Sequence, residues 1–97
     1  MVIYIAGPIT GDNDYMRKFN QAENELLIRG HIPLKPSVLP KRLTYAQYAR
    51  IDLAMVDSAD AVLFLPGWEY SAGASLEHAY CAYVDKTIYH DIKEVPY

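Results

Sequence analysis

Two uncharged apolar runs, Val2-Ile3-Tyr4-Ile5-Ala6 and Ala61-Val62-Leu63-Phe64-Leu65, are each cut off by a glycine and a proline: Gly7-Pro8 after the first and Pro66-Gly67 after the second. A strand with one wet face alternates apolar and polar side chains, so runs without a polar position belong to strands covered on both faces. The rest of the chain supplies that cover. Apolar residues at helical spacing run through Tyr15, Phe19, Ala22 and Leu26, with Asp12, Asn13 and Asp14 as N-cap candidates and Gly30 as the stop. A second helix is predicted from a Thr44 cap to about Ser58, and a third from about Ala72 to Val84. Two weaker strands are predicted at Ile32 to Lys35, placed at a sheet edge because of Pro33, and at Thr87 to His90. The order β-α-β-α-β-α-β predicts a single α/β domain over residues 1–97. It should have three layers, a flavodoxin- or Rossmann-like parallel sheet of about four to five strands with helices on both faces.

Composition excludes several classes of function. The net charge is −3 and the basic residues are scattered, which argues against a nucleic-acid partner. No apolar run approaches the ~20 residues that span a bilayer, and Met1 leads straight into the first strand without a leader pattern. A soluble cytoplasmic protein is expected, with no membrane partner. Cys81 is the single cysteine, expected as a small buried hydrophobe. His31 and His90 lack ligand spacing and His78 is expected to be solvated or interfacial, so no metal and no cofactor are expected.

In open parallel sheets ligands bind beyond the carboxyl ends of the strands, where the strand order reverses. The turns Gly7 to Gly11 and Pro66 to Gly73 should therefore line one crevice. Two acids fall where they are costly. On a helical wheel Asp52 lies inside an apolar arc formed by Tyr45, Tyr48, Ala49, Leu53, Met55 and Val56, and Glu77 lies among Leu76, Tyr80, Cys81, Tyr83 and Val84. A buried carboxylate needs a partner or a task, and no lysine or arginine lies near Glu77 in sequence. Glu77 sits within about two turns of its helix start, where the dipole should keep it ionised. Ser71 and Gly73 open the same helix, and a cap hydroxyl followed by a glycine lets a ligand oxygen approach free N–H groups. Trp68, on the loop before them, is placed either to stack on a planar base or to plug the domain.

These residues resemble a known family. Tyr4-Ile5-Ala6-Gly7-Pro8 resembles the Y-x-A-G-P opening of nucleoside 2-deoxyribosyltransferases, and Asp52 through Asp60-Ala61-Val62 resembles their D-x₇-D-hydrophobic segment. Ser71-Ala72-Gly73-Ala74-Ser75-Leu76-Glu77 is similar to their [DS]-x-G-x-x-x-E nucleophile motif, and order and spacing agree over about residues 2 to 90. The resemblance is to small bacterial and phage members, related to 2′-deoxynucleoside 5′-monophosphate N-glycosidases. It implies Glu77 as the nucleophile at C1′, Asp52 as the acid assisting the leaving base, and Tyr4 as the residue holding the nucleophile. It also implies a substrate-binding set of Gly7, Pro8, Ile9, Trp68, Ser71 and Gly73, a nucleoside or nucleotide as small-molecule partner, and a homo-oligomer. The implied function is cleavage or transfer at the N-glycosidic bond of a 2′-deoxyribonucleoside or its 5′-monophosphate; the alternative is a non-catalytic nucleotide binder or sensor on the same fold. Ser71 stands where nucleoside-specific members carry Asp and monophosphate hydrolases carry Ser. Pro8 and Thr10 replace the Ser and Arg of those hydrolases, leaving Lys35, Lys41 or Arg42 to meet a phosphate.

Overall fold

The computed structural model describes residues 1–97. Strands β1 (Val2–Ala6), β2 (Ile32–Leu34), β3 (Ala61–Phe64) and β4 (Thr87–Tyr89) alternate with helices α1 (Tyr15–Ile28), α2 (Tyr45–Ser58) and α3 (Ala72–Tyr83). The four strands form one sheet in the order β2-β1-β3-β4, every pair parallel. Pro33 lies in an edge strand, as its missing N–H requires, and the two apolar runs pair centrally through Tyr4↔Val62 and Ala6↔Phe64.

Strand alternation sorts the core into two layers. Ile3, Ile5, Ala61 and Leu63 face α1 and meet Phe19, Ala22 and Leu26. Tyr4, Ala6, Val62 and Phe64 face the other way, toward Val56 of α2 and Cys81 of α3. The strand order reverses between β1 and β3, whose carboxyl ends form the switch point where the sequence places a crevice.

The helix ends follow local chemistry. Thr44 and Gln47 form a reciprocal capping box at α2. Gly30 takes a positive φ of 84° after α1. Asp14 occupies the N-cap position of α1 but makes no capping hydrogen bond, pairing instead with Arg17.

Two apolar arcs are narrower than their sequence suggests. Tyr45 is exposed because α2, at 14 residues, is ~21 Å long whereas the four residues of β3 span only ~13 Å, so the first turn overhangs the sheet. On α3 only Ala74, Glu77 and Cys81 are buried. Leu76 and Tyr83 lie roughly 100° or more around the helix from Glu77 and are exposed, as is Val84 just past the helix end.

Candidate active site

Tyr4 is fully buried on β1 and its phenol needs a partner there. The partner comes from α3: the Tyr4 hydroxyl donates to Oε2 of Glu77, whose residue is only 5% exposed. Neither group meets a cation. The ion pairs of the chain are Arg17–Asp14, Lys18–Asp12, Arg29–Glu25 and Lys35–Glu23, all involving other acids. Asp52, half-buried on α2, is the third member, and its charge acts on both Glu77 and Tyr4. Its Oδ1 is shielded from solvent and has no hydrogen-bond partner. A buried orphan acceptor costs free energy, about 1–3 kcal/mol, unless a ligand satisfies it.

The electrostatics correct one expectation. The dipole at the start of α3 does not keep Glu77 ionised: burial pushes its carboxyl up to about 8, against the Tyr4 hydrogen bond, with the charge of Asp52 adding to the rise. Glu77 lies beyond the first turn, where the dipole has fallen off, and desolvation of the charged form wins. Burial also raises Asp52, to about 6. Tyr4 is driven far upward by burial and then by the two carboxylates, so it stays a donor. Burial lifts the Cys81 thiol to about 11, which removes it as a nucleophile.

The glycine turns meet beside this cluster. A Cβ on Gly7 would lie 3.0 Å from Cβ of Leu65. Gly67 has a φ of 87°, and a Cβ there would touch Pro8 Cγ at 3.4 Å. The turns after β1 and β3 therefore adjoin, with Pro8 against Gly67. Ser71 Oγ accepts from the Ala74 N–H at 3.2 Å, a plain N-cap. Gly73 has open space where a Cβ would point. Ile9 packs against the α1-side core, on the face opposite Glu77. Lys35 is tied to Asn20 and Glu23, which leaves Lys41 and Arg42 as the cations of that loop without an acidic partner.

Trp68 behaves first as a plug. Its ring stacks on His78 with centroids 4.0 Å apart and planes 10° from parallel, and packs against Phe64 at 5.4 Å. One indole face is thereby occupied. His78 is partly covered by these rings, and its Nε2 meets Nε2 of His90 at 3.1 Å. The sequence reading missed this pair because the two residues are 12 apart, on a helix and past a strand, a distance only the β4 crossover closes. A cavity of about 370 Å³ lies on the α1 side of the sheet, beside Arg17, Ala22, Phe64, Pro66 and His90. Tyr4, Asp52 and Glu77 do not line it.

Solved structures with this fold include a 2-deoxyribosyltransferase from the psychrotolerant bacterium Bacillus psychrosaccharolyticus, with a TM-score of 0.73 and 20% identity over 91% of this chain and 69% of that one. A 2-deoxyribosyltransferase from Leishmania mexicana is similar with a TM-score of 0.71 and 21% identity, over 90% of this chain and 61% of that one. The chain thus spans about three fifths to two thirds of these proteins, and at such identity the likeness is one of fold. No curated protein matches in sequence. The family model described as a domain of unknown function, DUF4406, matches residues 1–90, and the chain belongs to that family.

Proposed function

We propose that this chain acts at the N-glycosidic bond of a 2′-deoxyribonucleoside or its 5′-monophosphate, with Glu77 as nucleophile, Asp52 as acid and Tyr4 as the group that orients Glu77. The observation that carries this is a pair of acids without a cationic partner, one buried and one half-buried, the first fixed by a tyrosine hydroxyl, beside the strand-order reversal of a deoxyribosyltransferase-like sheet. In the proposed reaction a Glu77 carboxylate oxygen bonds to C1′ as the base departs, and the base takes its proton from Asp52. Water or a second base then attacks C1′, gives its proton to the Asp52 carboxylate, and frees Glu77 as the carboxylate. An ionised carboxylate stabilises the oxocarbenium-like transition state, as in retaining glycosidases. Gly73, in the first turn of the helix that carries Glu77, has open space where a side chain would stand.

The acid order imposes a condition. Near neutral pH the ligand-free pair holds one proton, mostly on Glu77, because about 8 exceeds about 6. The productive arrangement, with the proton on Asp52, is then the minor one. The profile of kcat/KM should be bell-shaped, with limbs near those two values, and its height should stay low.

A non-catalytic nucleotide binder is the second reading. A Glu77 held neutral can donate a hydrogen bond to a ligand, and the chain is shorter than its structural neighbours. Incubation with deoxynucleosides and their monophosphates, with and without a second free base, separates the cases. Base released in either condition indicates hydrolysis, and base released only with an acceptor indicates transfer. A nucleotide that binds and is recovered unchanged indicates the binder.

A further inference from the structure

The acid cluster does not involve the ring cluster at the other side of α3. There Phe64, Trp68, His78 and His90 pack as four adjoining rings. The Nε2 atoms of His78 and His90 approach to 3.1 Å while their ring centres are 5.3 Å apart, so these nitrogens are the nearest points of the two rings and aim at one another. The contact is solvent-exposed.

We propose that His78 and His90 form a two-histidine site for a divalent transition-metal ion of the zinc, nickel or copper type, with water completing the coordination shell. Imidazole nitrogen is the donor these ions prefer. Two nitrogens 3.1 Å apart can both lie about 2.1 Å from one ion, at an N–metal–N angle of roughly 95°, within the range of cis ligands. Because the two nitrogens face one another, each ring must turn by roughly 40° to bring its lone pair onto the ion. In the free protein one ring donates its Nε2–H to the other; binding requires that ring to carry its proton on Nδ1 instead, a tautomer change with no net proton release. The Trp68 stack at 4.0 Å and the Phe64 edge contact at 4.8 Å keep His78 beside the indole. The bound ion would tie α3 to the segment after β4 and hold the Trp68 loop between them.

Trp68 is the single tryptophan of the chain and its ring stacks on His78, so its fluorescence is emitted beside this site. Untagged protein is titrated with nickel or copper chloride at neutral pH. The expected result is saturable quenching at one ion per chain, relieved by competing zinc chloride. Affinity should fall at least tenfold in both His90→Ala and His78→Gln and stay unchanged in His31→Gln, which alters the histidine beside the Met1 amine. Because His90 is exposed, circular dichroism of its variant should match the parent. Quenching that rises without saturation, or that persists unchanged in both His90→Ala and His78→Gln, overturns the site. The readout does not involve nucleoside turnover, so its outcome stands apart from that of the proposed reaction.

Discussion

At the residue scale, Glu77 is an acid the fold does not need ionised. Its carboxyl is raised from an ordinary 4.5 to about 8, so the folded state is favoured by protonation. That stability is fully present below the unfolded value and is lost as pH rises through about 8. Glutamine imitates the protonated form and keeps the acceptor for Tyr4. Glu77→Gln should therefore be nearly neutral at pH 4 and should stabilise the protein by about 2–4 kcal/mol at pH 9, measured by urea unfolding at the two pH values. A residue retained for stability alone would give the opposite sign at high pH. The Tyr4 hydrogen bond lowers the Glu77 carboxyl, so Tyr4→Phe should move the alkaline limb of the kcat/KM profile upward, at a cost of about 1–2 kcal/mol in stability.

At the element scale, the turns after β1 and β3 approach each other closely at Gly7. Gly7 has its missing Cβ 3.0 Å from Leu65, so Gly7→Ala must push the ends of β1 and β3 apart. We expect a loss of about 1–3 kcal/mol by thermal unfolding, together with lost activity. Thr44→Ala, which opens the capping box at the overhanging end of α2, should cost about 1 kcal/mol without changing the chemistry. Most of this architecture was legible in the sequence because it is written in short-range patterns: the unbroken apolar runs, the Pro33 edge, the Thr44 cap and the Gly30 stop. The acids were legible for a related reason, since Glu77 and Asp52 interrupt an apolar periodicity. Three features were not. Tyr4 lies within the apolar run of β1, and its hydrogen bond to Glu77 joins residues 73 apart in the chain. The width of the helix faces depends on how far each helix overhangs the sheet, which a wheel does not record for Tyr45. The pairing of His78 with His90 is non-local, and so is the environment of Trp68, whose one face is covered by the His78 ring.

At the scale of the whole molecule, the chain is an α/β domain spanning about three fifths to two thirds of the structures it is similar to, with one acid of its pair buried and the other half-buried. No helix is long and apolar enough to cross a membrane. Leu76 and Tyr83 on α3 and Tyr45 on α2 remain exposed, and the resemblance to a family of oligomers leads us to expect self-association. Sedimentation velocity should give a mass above that of one chain, and a charged substitution at Tyr83 should reduce it. The central claim is that Glu77 is kept for chemistry at a cost to the fold. Its most direct test is the release of free base from deoxynucleosides and their 5′-monophosphates, by wild type and by Glu77→Gln, at pH 7 with an acceptor base present. The account predicts measurable release by the wild type and a loss of at least ~100-fold in a variant that is folded and no less stable. Release by Glu77→Gln at the wild-type rate, or no release by either protein from any of these substrates, contradicts it.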